Sequence, residues 1–390
     1  MKILFYIASL GLRGGMECIT ITKANALAEL PGYEVAIAFA DDLNYRKTII
    51  RPLSPKVIAI DLKSPFWDDG ASPSAFGYLK KLNRLRKALQ NTIDDWEPDV
   101  VIATGLMDRY VFPFLKQTCR EKYIKILEYH FASNYKLLEA KHTSGRINLF
   151  RRLQHWFDSR VIAKYYDFNA FLTEEDYLIN APKHDPRFGY IHNPVTFPIE
   201  IPDITSPRDK IVLAAGRLCN QKNFASLLRI WAQVKHKDGW RLRILGEGAL
   251  HDELLNFANA LNIGDSIEMP GFSSDIGKEM KHASIFAATS AWEGFHLALL
   301  EAMASGCPVI SYRTPYGPSD IITDNKTGLL VNINDETTYA ELLQQMIDKP
   351  SFRARLANTA LTQIDRFSIP NIIGNWIDKY NSLLAIKRRK

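Results

Sequence analysis

Short continuous apolar runs alternate with helical spacing along this chain, and that alternation predicts an α/β protein. Runs of this kind read as parallel strands buried on both faces. In the first half they are KILFYI (2–7), YEVAIAF (33–39), DVVIAT (99–104), YIKILEY (123–129) and DFNAFLT (167–173). Helical patterns run from Met16 to Leu30, over 74–95, near 107–118 and over 146–165. A polar stretch holding Pro52, Pro55, Pro65 and Pro73 reads as loops. The segment NPVTFPIEIPDITSPRD (193–209) carries four prolines and predicts an extended linker. Beyond it the pattern restarts with strands at 211–216, 241–246, 266–270, 284–290, 308–311 and 328–331. Helices are expected at 222–236, 249–261, 274–282 and 297–305, and three more close the chain, the last from Pro370 to Ile386. The predicted architecture is two doubly wound, Rossmann-like α/β domains, 1–195 and 208–369, facing each other. Ligands sit at the carboxyl ends of parallel strands, so a shared interdomain cleft is expected to hold the site.

Composition narrows the class. The chain has 390 residues, 46% hydrophobic and 24% charged, values of a soluble globular enzyme. Cys18, Cys119, Cys219 and Cys307 stand far apart with no CxxC pair, which excludes a disulfide scaffold or cysteine zinc site and suits a reducing cytosol. No apolar run approaches the roughly 18 residues of a membrane span. The opening KILFYIASLGL looks like a secretory signal but lacks a small-x-small site and flows into a Gly-Gly turn, so it reads as a strand. The net charge of +6 is concentrated in residues 1–190, which hold 27 Lys+Arg against 22 Asp+Glu. Such an excess serves solubility or attracts an anionic surface, membrane or phosphate. Nucleic acid is not an expected partner, because no basic and aromatic block lies on a recognisable binding module.

Four motifs carry chemistry. GLRGGME (11–17) follows the first strand, and its Gly14 and Gly15 let the backbone approach an anion at a helix N-terminus. AGRLCNQKN (215–223) places Arg217 and Lys222 at a helix entrance, where two cations can hold a diphosphate. LGEG (245–248) offers a tight turn through Gly246 and Gly248. AWEGFHLALLEAMASGCPVIS (291–311) separates Glu293 from Glu301 by seven residues. N–H groups around Phe295, His296 and Leu297 open a helix there and can receive a phosphate. No Asp-x-Asp and no His/Asp/Glu cluster with metal spacing occurs, so no metal or other cofactor is expected.

With GPSDII (317–322) and TGLLV (327–331), these motifs resemble family 4 of the retaining, nucleotide-sugar-dependent glycosyltransferases, which have the two-Rossmann GT-B fold. The resemblance runs along essentially the whole chain. It implies that Gly14, Gly15, Arg217 and Lys222 bind the donor diphosphate, that Glu293 touches donor-sugar hydroxyls and that Glu301 holds the ribose. Gly246, Gly248, Phe295, His296 and Leu297 complete the expected donor site, and His130, at the mouth of LEYHFASN (127–134), is the active-site histidine it implies. His296 stands where glycine is usual, and Cys18 where arginine often follows GGME.

The implied reaction is retaining transfer of a hexose or N-acetylhexosamine from a nucleoside diphosphate sugar, UDP-linked, to a glycan, lipid-linked or polymer acceptor in bacterial surface polysaccharide synthesis. His130, Arg217, Lys222 and Glu293 are the expected catalytic set. A nucleotide-sugar epimerase, a phosphorylase and an inactive nucleotide-sugar-binding subunit are the competing readings. The expected location is the cytoplasm, peripheral on the inner face of the membrane, with an anionic membrane surface as a further partner. Helix 74–95, with Lys80, Lys81, Arg84, Arg86 and Lys87, is one expected contact. The other is 146–165, with Arg151, Arg152, Arg160 and Lys164 beside Leu149, Phe150, Leu153, Trp156 and Phe157. The competing expectation is that those aromatics pack into the core. The last helix, 370–390, is expected to return to the first domain and bring Lys387–Lys390 to that side.

Overall fold

A computed structural model of the chain describes residues 1–11, 14–40, 52–64, 75–105, 108–116, 123–199 and 207–389. Leu12, Arg13, Pro65, Pro73, Cys119, linker residues 200–206 and Lys390 lie outside the described residues. The chain divides into two compact units. Unit 1 is Met1–Asn134, Asn148–Thr196 and Ile369–Lys390; unit 2 is Tyr135–Ile147 and Phe197–Ser368.

The first elements are β1 (Lys2–Ile7), α1 (Gly15–Ala28), β2 (Glu34–Phe39), β3 (Val57–Asp61), α2 (Ala75–Trp96), β4 (Val100–Ala103) and β5 (Ile124–Glu128). They continue with α3 (Tyr135–Ser144), α4 (Leu149–Arg160), β6 (Phe168–Phe171), α5 (Glu174–Asn180) and β7 (Phe188–Tyr190). The seven strands form one parallel sheet in the order β3-β2-β1-β4-β5-β6-β7. Ile3 to Ile7 are buried on both faces, which is why β1 reads as an unbroken apolar run. Edge strand β3 is buried mainly at Val57 and corrects the expectation of loops throughout the proline-bearing stretch in which it lies; its short apolar run VIAI is flanked by Pro52, Pro55 and charged residues. Edge strand β7 is only three residues long and is missed for the same reason.

Two predicted helices are shorter than expected. The 107–118 segment contains two 3₁₀ turns, Asp108–Tyr110 and Phe112–Phe114, because Pro113 cannot donate to a continuing α-helix. The 146–165 segment becomes α4, capped by the Asn148 side chain on the Arg151 N–H, followed by a 3₁₀ turn at Ile162–Tyr165.

Unit 2 contains β8 (Asp209–Ala215), α6 (Phe224–Gln233), β9 (Arg241–Leu245), α7 (His251–Ala260), β10 (Ile267–Gly271), α8 (Ile276–His282) and β11 (Ala283–Ala288). Then come α9 (Leu297–Ala304), β12 (Val309–Tyr312), α10 (Pro318–Ile321), β13 (Leu329–Val331), α11 (Glu336–Asp348) and α12 (Pro350–Gln363). Its sheet runs β10-β9-β8-β11-β12-β13, all parallel. The strand order reverses at β8 and β11, as it does at β1 and β4 in unit 1. Both units are therefore doubly wound, each with a ligand-binding switch point at the carboxyl ends of its central strands. Residues 135–147, which the sequence places in the first domain, are counted with unit 2, where the His142 ring packs 5.0 Å from that of Trp292.

The last helix, α13 (Ile369–Arg388), belongs to unit 1. Ile372, Ile373, Trp376, Tyr380 and Leu384 complete a core with β1, β2, β4, β5 and α1. Beneath them Lys23 of α1 and Glu128 of β5 form a buried ion pair at 2.5 Å, with the ammonium 4.3 Å from the Trp376 ring centre.

Candidate active site

The unit 2 switch point assembles most of the predicted donor site. After β8, the loop carrying Arg217 runs beside the Gly246–Gly248 loop after β9. Gly216 N–H donates to Leu245 O at 2.9 Å, and Leu218 N–H to Glu247 O at 2.9 Å. The loops approach so closely that a β-carbon on Gly246 would overlap the Gly216 carbonyl, and one on Gly248 the Leu218 backbone. Both glycines also have positive φ, 143° and 159°, so any other residue would strain both loops.

A second staple joins the β8 loop to the loop after β11. Ala291 N–H donates to Gln221 O at 2.8 Å, Gln221 Nε2 to Trp292 O at 3.0 Å, and Thr289 Oγ1 to Asn223 O at 3.1 Å. This lacing sets Lys222 Nζ 2.7 Å from Glu293 Oε1. Burial alone would raise the Glu293 carboxyl, but the Lys222 ammonium, His296 and the Ser290 hydroxyl hold it below the ordinary carboxylate value. Glu293 is thus an anion already aimed at a cation. Arg217 is exposed on the same loop and forms no ion pair among the described residues.

His296 caps α9. Its Nδ1 accepts from the Leu299 N–H at 3.3 Å, so the proton of the neutral ring sits on Nε2, which lies 3.6 Å from Glu293 Oε1. Burial lowers the imidazole pKa to about 4 despite the neighbouring Glu293, with the Lys222 charge adding to the lowering. The Leu297 N–H donates to Phe295 O at 2.9 Å. Two N–H groups of this helix entrance therefore have internal partners, which the sequence does not reveal. Glu301 lies buried one turn further along α9.

The remaining predicted residues lie in unit 1. Gly14 is the N-cap of α1 and Gly15 its first residue. The Glu17 carboxylate occupies the place where a Gly14 β-carbon would stand, so this helix entrance already holds an anion of its own. His130 follows β5. Its side chain is buried, with Nε2 3.3 Å from Glu128 Oε2 but not aligned as a hydrogen bond. Burial alone would raise Glu128, yet the Lys23 ammonium and His130 hold it ionised, at about 2. After β4, Asp108 Oδ2 accepts from the Thr104 N–H at 2.6 Å and the Gly105 N–H at 3.2 Å, fixing that turn.

Sequence reasoning missed Gln221, Thr289 and Asp108, whose work is to hold loops. It also missed Lys23, which interrupts the apolar stripe Ile19–Leu27 of α1 and so carried a readable signal. Among the described residues no group of three or more His, Cys, Asp or Glu side chains is placed to hold a metal ion.

Residues 199–363 match the family model of group 1 glycosyl transferases. An uncharacterized glycosyltransferase of Haemophilus influenzae is 26% identical over 378 residues, 96% of this chain and 98% of that relative. The N-acetylgalactosamine-N,N'-diacetylbacillosaminyl-diphospho-undecaprenol 4-alpha-N-acetylgalactosaminyltransferase of Campylobacter jejuni is 34% identical over 160 residues, 41% of this chain and 43% of its own. The poly(ribitol-phosphate) alpha-N-acetylglucosaminyltransferase of Staphylococcus aureus is 28% identical over 176 residues, 45% of this chain and 36% of its own. The matches thus span less than half the length of these last two relatives. A structure of Staphylococcus aureus TarM in complex with UDP superposes with a TM-score of 0.79 at 16% identity, covering 97% of this chain and 99% of that one. Sucrose-phosphate synthase from Thermosynechococcus elongatus gives 0.80 at 18% identity, covering 99% of each. The fold is that of the GT-B glycosyltransferases, as the motifs predicted.

Proposed function

We propose, from the group 1 glycosyl transferase match over 199–363, that this chain transfers a hexose or N-acetylhexosamine from a UDP-sugar to a bacterial surface glycan. The acceptor is a growing glycan, a lipid-linked sugar or a polymer, met at the cytoplasmic face of the membrane. The Lys222–Glu293 pair at the unit 2 switch point carries this reading. Its lysine is close to the surface, and its glutamate is rigidly held.

In the proposed mechanism the donor diphosphate lies across the β8 loop. Arg217 and Lys222 neutralise it there, and the close-packed backbone of Gly246 and Gly248 leaves room beside it. Glu293, released from Lys222, accepts from donor-sugar hydroxyls; Glu301 accepts from the ribose. The resemblance further assigns His130 to the reacting sugar and Gly14 and Gly15 to the diphosphate. As the bond from the anomeric carbon to phosphate breaks, negative charge grows on the leaving diphosphate, where the two cations are already placed. A departing phosphate oxygen takes the proton of the acceptor hydroxyl, which attacks from the same face, so configuration is retained. No enzymic nucleophile enters the sequence. The cations stand in for a divalent ion, so the reaction is proposed to be metal-independent.

A panel of nucleotide sugars tests this reading. The true donor should raise the melting temperature and yield an α- or β-product matching its own anomeric configuration by NMR. No stabilisation by any nucleotide sugar would refute it. Activity abolished by EDTA and restored by Mn²⁺ or Mg²⁺ would refute the metal-free mechanism.

A further inference from the structure

Helix α4 is amphipathic in the wrong direction for a surface helix. With about 100° between successive residues, Leu149, Phe150, Leu153, Trp156 and Phe157 fall in one arc of about 120°. That arc faces outward: Leu149 and Phe150 are 71% exposed, Leu153 and Trp156 56%, and Phe157 43%. The inward arc is polar. Asp158 is buried, accepting from Tyr110 OH at 2.8 Å and pairing with Arg109 at 3.3 Å, while His155 and Arg151 are half-buried. Those contacts fix the rotation of the helix, so the apolar arc does not turn inward.

The patch is concentrated. Of the sixteen large hydrophobic side chains exposed among the described residues, six lie between Leu149 and Tyr165. The expectation that these aromatics pack into the core is therefore overturned. Arg152 borders the apolar arc, Arg160 ends it at the last residue of the helix, and Lys164 follows in the next turn, all three exposed. No acidic side chain is exposed within 145–165, because Asp158 points inward.

We propose that α4 lies in the interface of an anionic lipid bilayer, with the apolar arc in the acyl boundary and Arg152, Arg160 and Lys164 reaching the headgroups. An exposed apolar face whose own segment carries only positive exposed charge matches such a surface and repels other basic chains. The other expected contacts do not share this geometry. In α2, Leu85, Leu89 and Ile93 are buried and the cations form a solvated face. Lys387 of α13 pairs with Asp167 at 2.8 Å and Arg388 with Asp99 at 3.3 Å, so these tail charges are engaged within unit 1. The contact would deepen the proposed function by bringing the site to a membrane-held acceptor, but it stands on exposure and charge alone.

Flotation of the full chain with vesicles tests it separately from any transfer assay. Phosphatidylglycerol–phosphatidylcholine vesicles should carry the protein upward, and pure phosphatidylcholine should not. Raising salt from about 0.05 M to about 0.5 M should cut binding several-fold, because the Debye length shrinks. Phe150→Ser with Trp156→Ser should lower partitioning about tenfold or more while the melting temperature holds, since both side chains lie outside the core. Arg152→Glu with Arg160→Glu should abolish the preference for anionic lipid. Equal flotation on neutral and anionic vesicles, or binding untouched by the α4 variants, would overturn the proposal. So would lipid-free sedimentation showing a dimer that the Phe150→Ser, Trp156→Ser variant dissolves, since a second copy would then be the occupant.

Discussion

Among the described residues each unit contains a close lysine–glutamate pair withdrawn from solvent, and the two differ in what surrounds them. Lys23 and Glu128 meet at 2.5 Å with side chains 1% and 3% exposed, roofed by Trp376. Lys222 and Glu293 meet at 2.7 Å with side chains 18% and 7% exposed, at the mouth of a switch point. The first pair is shut away from solvent, and desolvation makes each charge depend on the other. In the proposed function the second exchanges its internal partner for a diphosphate on one side and sugar hydroxyls on the other. The same two side chains are sealed in where a helix covers them and reach solvent where loops leave them open.

Breaking the sealed pair should have the largest effect. Glu128→Ala leaves an uncompensated buried ammonium and should cost about 3–5 kcal/mol of stability in urea titrations. The double variant Lys23→Met, Glu128→Leu should recover most of that loss, because no buried charge remains. If the single variant melts like wild type, the two pairs do not differ as argued.

The open pair should break differently. Lys222→Ala should cost about 2–4 kcal/mol in kcat/KM, the range for one preorganised electrostatic group. Its stability loss should be smaller than that of Glu128→Ala, since Glu293 keeps His296 and Ser290 nearby. A folded Lys222→Ala variant with wild-type kcat/KM would remove Lys222 from the mechanism.

A finer test separates the glutamates within the open site. Glu301→Ala should weaken free nucleoside diphosphate by about 1–3 kcal/mol, the cost of a lost charged hydrogen bond. Glu293→Ala should weaken only the intact sugar nucleotide. Calorimetry that reverses this order would reverse their roles.

The smallest expected effect belongs to His296. His296→Ala should lose about 1 kcal/mol of helix capping, and His296→Asn should keep most of it. The imidazole titrates at about 4 in the folded chain, below its usual 6.5. Between those values the unfolded chain binds the extra proton, so the wild type should lose stability as pH falls from 6.5 through 4. His296→Asn should flatten that slope; an unchanged slope would assign it to other groups.

The central strands were legible because burial on both faces writes an unbroken apolar run, as in Ile3–Ile7. The edges were not, since β3 and β7 are short and only partly buried. The motifs assigned to the donor were legible as strings, and the structure brings Lys222, Glu293 and His296 together although 71 residues separate Lys222 from Glu293. The partner of Lys23 could not be read, because nothing local marks a residue 105 positions away. Helix α4 shows a different limit: periodicity reports that a helix has two faces, but not which one the fold turns outward. That was decided by Arg109 and Tyr110 reaching Asp158, contacts across nearly fifty residues.

The return of α13 to unit 1 also has a consequence for synthesis. Residues 197–368 leave the ribosome before the helix that covers Lys23, Glu128 and the aliphatic surface of β1 and β5. Unit 2 can therefore finish folding while unit 1, begun first, still lacks its roof, reversing the usual order of completion along a chain. Nascent chains arrested before Ile369 should yield protease-resistant fragments from unit 2 and a digestible unit 1.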